Sequence, residues 1–114
     1  MSLKITLYYM NGCFPCENFK PVWKELKKSI ARNGNKYNGI NVVTNEYEYN
    51  EIQKNKKIKL NNKDITGFPT IGFKIKLNNN VSEREYTLTR SHDDIINKIE
   101  SITKKMAKLK NNKL

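Results

Sequence analysis

The chain has 114 residues, a length that predicts one small domain and excludes a second. Its basic residues outnumber its acidic residues by 22 to 11, which gives a formal net charge of +11, and its two cysteines are too few for a disulfide-stapled scaffold. No apolar run approaches the roughly 20 residues of a membrane span, and we see no secretory signal. We therefore expect a cytoplasmic monomer without a membrane partner.

The positive charge comes mostly from lysine. The chain has 19 lysines and 3 arginines beside 17 asparagines. Nucleic-acid recognition favours the rigid fork of arginine, so the composition argues against a nucleic-acid partner. This bias is typical of an A/T-rich coding genome, such as that of a large DNA virus or a parasite, and attraction to acidic partners stays open.

Along the chain, the first elements are a strand and a long helix. Residues 3–9 alternate briefly and end in aromatics, which predicts a strand that Asn11 and Gly12 interrupt. A one-sided apolar stripe at helical spacing follows, and it continues past Pro21, so we expect that proline to kink the helix rather than end it. Asn33 ends the helix. The stripe consists of Phe19, Val22, Trp23, Leu26 and Ile30.

Shorter elements follow. Residues 40–44 predict a second strand and residues 50–60 a weaker, lysine-heavy helix. Residues 71–77 alternate cleanly, and an asparagine turn at 78–80 leads to a partner strand near residues 85–88.

The last element is an amphipathic helix that starts after Ser91, which has an acid three residues on, the capping-box spacing. We predict an α/β fold in the order β-α-β-α-β-β-α, with a central mixed four-stranded sheet and flanking helices. The domain would cover residues 1–103, and residues 104–114 would form a frayed basic tail.

The chemistry is concentrated in the C-x-x-C motif of Cys13, Phe14, Pro15 and Cys16, where the first strand ends and the helix begins. Unpaired backbone N–H groups and the positive end of the helix dipole favour a thiolate at a helix start. Cys13 is therefore predicted to attack a substrate disulfide, and Cys16, one turn deeper, to close a disulfide with it. An inert pair is the alternative reading.

Zinc is a weaker interpretation of the same pair. A structural zinc site uses four cysteine or histidine ligands, and this chain offers only Cys13, Cys16 and the distant His92. We therefore expect no metal, although a site shared between two chains stays conceivable.

A second motif supports exchange chemistry. Phe68 and Pro69 precede the apolar strand, and a cis peptide bond there would expose the backbone of Phe68 beside the dithiol. An extended substrate could then pair with it as an added strand.

Together, these motifs resemble the thioredoxin family. The run C-F-P-C-E-N-F-K-P-V-W-K-E-L at residues 13–26 is similar to the family's active-site helix, and G-F-P-T at residues 67–70 is similar to its cis-proline loop. The likeness covers about residues 3–103.

The resemblance implies dithiol–disulfide exchange with protein substrates and no bound cofactor. It assigns the nucleophile to Cys13, the resolving thiol to Cys16 and the cis-proline to Pro69. Phe14 and Phe68 would contact the substrate, and Pro15, Pro21 and Gly67 would have structural roles. A reductase or a thiol oxidase would restore the starting redox state of Cys13 and Cys16. If the source is viral, we expect a thiol oxidase as the partner and packaging of the protein in the virion.

Two departures from the family matter. Only 12 residues precede Cys13, so we expect a core trimmed of the first β-α unit. Leu7 stands six residues before Cys13, where thioredoxins bury an acid that moves the proton of the resolving cysteine, so we expect slow turnover.

Two other functions remain open. A glutaredoxin-like, glutathione-dependent activity fits the short length, but the family's Cys-Pro-Tyr-Cys motif and Gly-Gly pair are replaced here. A non-catalytic redox-sensing or adaptor module would keep the fold without the turnover.

Overall fold

The computed structural model describes residues 1–111. Five strands form one mixed sheet in the order β2-β3-β1-β4-β5. The central strand β1 runs parallel to β3 and antiparallel to β4, and β5 pairs antiparallel with β4. The strands are β1 (Ser2–Tyr9), β2 (Lys36–Tyr37), β3 (Ile40–Glu48), β4 (Thr70–Leu77) and β5 (Asn80–Glu85).

Three helices complete the fold: α1 (Phe14–Arg32), α2 (Tyr49–Lys54) and α3 (His92–Asn111). The predicted α/β class, with a mixed sheet and flanking helices, is confirmed. Since the connection from β1 through α1 joins two parallel strands, it is a crossover that returns the chain to the same sheet. Within residues 1–111, no helix is both long and apolar enough to cross a membrane.

The main core lies between one face of the sheet and helices α1 and α3. Alternation along β1 sends Leu3, Ile5 and Leu7 to this face, where all three are buried. The helical stripe of α1 meets them, and Ile95 and Ile99 of α3 are fully buried beside it. Burial of this apolar surface is the main force that fixes α1, and therefore the start of α1, against the sheet.

A smaller apolar cluster lies on the opposite face of the sheet. Tyr8, whose side chain alternates away from the main core, packs with Ile52 of α2 and with Leu60 and Ile65 of the following loop. The cluster covers only the end of the face that lies near α2.

The sheet has five strands rather than the four predicted. The additional strand β2 has two residues, and Tyr37 pairs with Ile40 at the hairpin turn. Asn38 and Gly39 in the turn have φ angles of 53° and 75°, which suit a tight two-residue connection. A strand of two residues is too short to show an alternation of apolar and polar side chains, so the sequence pattern does not predict it.

The predicted helix over residues 50–60 is wrong in its second half, because α2 ends at Lys54. Only Ile52 of this segment is buried within the helix, so little apolar contact supports further turns. Asn61 and Asn62 adopt left-handed φ angles in a tight turn closed by hydrogen bonds between Leu60 and Lys63.

The predicted strand near residues 85–88 is displaced, since β5 begins directly after the turn and ends at Glu85. Tyr86 lies just beyond the strand, is buried against Phe73, and donates its hydroxyl hydrogen bond to the carbonyl of Thr89.

The prediction that the chain frays from residue 104 is wrong for residues 104–111, where α3 continues. Met106 is 2% exposed and Thr103 is fully buried, so the helix keeps an apolar contact face in this region. Lys108 and Lys110 in the last turn also suit the negative end of the helix dipole. Residues 112–114 of the predicted tail lie outside the described residues.

Candidate functional site

Cys13 is the N-cap residue of α1. The chain leaves β1, turns at Gly12 with a φ of 79°, and places Cys13 in extended geometry with its carbonyl accepting from the N–H of Glu17 at 2.9 Å. No side chain caps this helix start, so its positive end is directed at the region of the Cys13 sulfur. Cys13 is half-buried and can therefore be reached by a substrate.

Cys16 lies in the first turn of α1 and is 2% exposed. The pKa of its thiol is raised to about 11, mainly by burial and also by its hydrogen bond with Cys13, while the backbone of Met10 and the charge of Arg90 act in the opposite direction. Both cysteines are free thiols. The pair thus combines one accessible thiol with one buried thiol that holds its proton at neutral pH.

The loop before β4 closes the site from the other side. The Cys13 Sγ lies 3.7 Å from the carbonyl oxygen of Phe68, and the Phe68–Pro69 peptide bond is cis. Thr70 Oγ1 donates to the carbonyl of Gly67 at 2.7 Å, and the Phe68 ring meets Tyr49 edge-to-face at 5.6 Å. The loop is therefore held by its own turn and by α2.

The structure brings together the residues that the two motifs singled out. Phe14 is 77% exposed beside the dithiol, as its place between the cysteines predicts, and Pro15 is exposed next to it. Helix α1 continues through Pro21 without ending. The roles assigned to these residues stay predictions.

Sequence reasoning missed a polar network around the helix start. Glu17 accepts from the N–H of Gly12 at 3.1 Å and from Lys20 Nζ at 3.0 Å, and Lys20 also donates to Asn11 Oδ1 at 3.2 Å. The hydrogen bonds from Lys20 and Gly12 lower the pKa of Glu17. The sequence signal for this network is the spacing of Glu17 and Lys20, an acidic and a basic residue three positions apart on one helix.

The buried position that the resemblance reserves for an acid is occupied by Leu7, which is 3% exposed. Glu46 lies opposite Leu7 across β1 and β3, but its carboxylate accepts from Trp23 Nε1 at 3.3 Å and from Lys27 Nζ at 3.0 Å. Burial opposes ionisation of Glu46, yet these hydrogen bonds leave its pKa lowered. Glu46 therefore stays a carboxylate that is engaged with α1.

Within residues 1–111, no three histidine, cysteine, aspartate or glutamate side chains are grouped so that they could hold a metal ion.

The raised pKa of Cys16 predicts how the stability of the reduced protein depends on pH. The folded pKa of about 11 exceeds the ordinary value of 9.0, so the unfolded chain releases this proton first. The free energy of unfolding is therefore maintained below pH 9 and falls as the pH rises towards 11. Urea unfolding of the reduced protein at pH 8 and pH 10.5 measures this, and Cys16→Ser should show a smaller fall. Equal falls in the two proteins would contradict it.

Arg90 gives a second prediction, because its positive charge stabilises the Cys16 thiolate. Arg90→Gln should raise the pKa of Cys16 and slow closure of the Cys13–Cys16 disulfide at pH 7 by about twofold to fivefold, the range of an exposed charge pair. Stopped-flow measurement of closure across pH tests this. Arg84→Gln removes an equivalent charge from β5 and should leave the rate unchanged; a matching change in both variants would refute a specific role for Arg90.

Comparison with solved structures shows the fold to be that of a thioredoxin domain. The Trx4 domain of ERdj5 is 18% identical with a TM-score of 0.61, over 90% of this chain and 80% of that one. The first two thioredoxin domains of Naumovozyma dairenensis Eps1p are 19% identical with a TM-score of 0.58, over 83% of this chain and 32% of that one. Human ERp44 in its zinc-bound form is 17% identical with a TM-score of 0.60, over 88% of this chain and 26% of that one. No protein-family model and no curated protein matches the sequence.

Proposed function

We propose that the chain is a thiol–disulfide oxidoreductase that acts on protein disulfides through Cys13 and Cys16 and needs no bound cofactor. The observation that carries the proposal is the position of Cys13: a half-buried thiol at the uncapped start of α1, beside a buried second thiol and 3.7 Å from the Phe68 carbonyl. The thioredoxin-domain fold of the chain supports the same conclusion.

In the reducing direction, the Cys13 thiolate attacks one sulfur of a substrate disulfide. A mixed disulfide forms, and the second substrate sulfur leaves as a thiolate that takes up a proton. Cys16 then loses its proton and attacks the Cys13 sulfur, which closes the Cys13–Cys16 disulfide and releases the first substrate sulfur, the one bound to Cys13, as a thiolate that takes up a proton. Two electrons have moved from the protein to the substrate, and the oxidising direction is the reverse sequence.

Closure is expected to be the slower of the two steps at neutral pH. Burial and the neighbouring Cys13 keep the pKa of Cys16 at about 11, so only a small fraction of Cys16 is a thiolate at any moment. The buried side chain of Leu7 is apolar and cannot accept a proton, and the carboxylate of Glu46 is already engaged by Trp23 and Lys27. A slow closure step gives the mixed disulfide time to accumulate.

Phe14 and the Phe68–Pro69 loop would form the docking surface for the substrate. Phe14 is 77% exposed, more than any other large apolar side chain of the described residues, and it flanks the attacking thiol. The backbone of Phe68 lies beside that thiol, where an extended substrate segment could add hydrogen bonds of the β type. A thiol reductase or a thiol oxidase would be the partner that restores the starting redox state.

Two assays separate this proposal from a glutathione-dependent function. Thioredoxin-type chemistry predicts faster reduction of insulin disulfides in the presence of dithiothreitol and slow turnover of glutathione mixed disulfides. Rapid glutathione turnover without insulin reduction would reject the proposal in favour of glutaredoxin-like activity. Activity in neither assay would favour an adaptor.

A further inference from the structure

The face of the sheet opposite the main core holds an unassigned cavity. Helix α2 and its following loop cover only one end of this face, because α2 has six residues. The uncovered part of β1 and β4, bounded by β3 and the loop over residues 55–60, forms the floor of a half-open cavity of about 340 Å³. This volume is within the range of small-molecule sites in proteins.

Positive charge is concentrated in this cavity. Lys4 of β1 and Lys74 of β4 are directly opposite partners in the antiparallel pair, and both side chains are half-buried. Lys57 and Lys59 add two charges from the loop, and Glu83, which lies directly opposite Lys74 on β5, contributes one negative charge. Lys59 also pairs with Asp64 at 3.7 Å. Among the described residues, no ion pair engages Lys4, Lys57 or Lys74.

The Lys4–Lys74 pair is unfavourable for folding. Like charges directly opposite each other in a sheet repel, and partial burial weakens the screening by water. Glu83 offsets part of the charge of Lys74 from the β5 side, but among the described residues no ion pair engages Lys4, so a bound anion would remove the remaining repulsion.

The rest of the lining also suits a polar ligand. Thr6 and Asn45 supply hydrogen-bonding groups on the floor and one wall. Gly72 lets the Leu60 side chain pack directly on β4 at one side of the cavity, since a Cβ there would come within 2.8 Å of that side chain. At one end, the rings of Tyr8 and Tyr47 stack at 6.0 Å.

We propose that this cavity binds a small anion that carries two or more linked phosphate groups, either an inorganic polyphosphate or a nucleotide. Lysine ammonium groups bind phosphate oxygens as point charges, and several of them converge here. A volume of about 340 Å³ matches the size of a small ligand. The site is separate from the dithiol and does not depend on the redox function.

Isothermal titration calorimetry with inorganic tripolyphosphate and, separately, with metal-free ATP at 0.15 M salt tests this proposal. We expect saturable binding of one ligand per chain. Lys4→Gln combined with Lys74→Gln should weaken it by at least about tenfold, since it removes two charged contacts. Tighter binding of ATP would identify a nucleotide that uses the Tyr47 ring, and equal or tighter binding of tripolyphosphate would identify the inorganic source.

The matched control is Lys24→Gln combined with Lys104→Gln, which removes the same charge from exposed positions on α1 and α3. It should bind as the unaltered chain does. The single variant Lys57→Gln, on an exposed loop, gives an independent check on a residue that the sheet does not need, and it should also weaken binding. Equal weakening in site and control variants would show diffuse attraction by the net charge and overturn the proposal. Absence of saturable binding to the unaltered chain would overturn it as well.

Discussion

Cys13→Ser is expected to abolish thiol–disulfide exchange and to lower the rate of insulin disulfide reduction by at least about a thousandfold. A serine hydroxyl is not ionised at neutral pH, and it cannot form the mixed disulfide through which the electrons pass. Cys13 lies at the surface of the fold and packs in neither apolar cluster, so the variant should unfold at the same urea concentration as the reduced parent protein. Residual reduction above a tenth of the parent rate would show that another group attacks the substrate.

Cys16→Ser is the matched control for Cys13→Ser, since the same atom is exchanged three residues further along α1. This variant can attack a substrate but cannot close the internal disulfide. A stable mixed disulfide with the substrate should therefore accumulate at Cys13, visible as an added mass that a reductant removes. If neither variant forms such an adduct with a disulfide substrate, the chain is an adaptor rather than an exchange enzyme.

Trp23→Ala is expected to lower the free energy of unfolding by about 3–5 kcal/mol, the usual effect of emptying a large aromatic site. Trp23 is 4% exposed, packs against Phe19 at a ring-centroid distance of 6.4 Å, and donates from Nε1 to Glu46 at 3.3 Å. The variant loses both the packing and the hydrogen bond that joins α1 to β3. Urea denaturation followed by circular dichroism measures the change.

Lys24→Ala provides the comparison on the next residue of the same helix. Its side chain is exposed and takes part in no ion pair of the described residues, so its replacement should change the stability by less than about 0.5 kcal/mol. Similar losses in the two variants would mean that helix propensity, and not the packing of Trp23, determines the effect.

The sequence predicts most of the fold because its long elements have strong patterns. The stripe from Phe19 to Ile30 has helical spacing over three turns, and every one of its members except the half-buried Val22 is buried in the structure. Residues 71–77 alternate, and β4 covers them. Local pattern and tertiary packing agree in these elements, so either one identifies them.

The parts that the sequence does not predict are short or depend on tertiary contact. Strand β2 has two residues, too few for any periodicity. The end of α3 looks like a basic tail, but Met106 reaches the main core and keeps the helix packed there. The residues around Met106 are mostly lysines. A prediction from composition therefore misses the one apolar side chain that holds this end of the helix against the core.

The site divides in the same way. The C-x-x-C and G-F-P-T motifs are local signals, and they identify residues that the fold brings to 3.7 Å across 55 positions of sequence. Arg90 has no local signal, because its influence on Cys16 arises only when the loop before α3 lies near the start of α1. The Lys4–Lys74 pair likewise requires the register of β1 against β4.

The central claim, that Cys13 and Cys16 form a reversible redox couple, is tested most directly by equilibrating the protein in glutathione buffers of graded potential. The fraction of the internal disulfide is then counted by mass after thiol alkylation. We predict a single two-electron transition within the oxidoreductase range of about −120 to −270 mV, where a value near the lower end identifies a reductase and one above −180 mV an oxidase or isomerase. A pair that stays reduced in every buffer, or that forms disulfides only between chains, would contradict the claim.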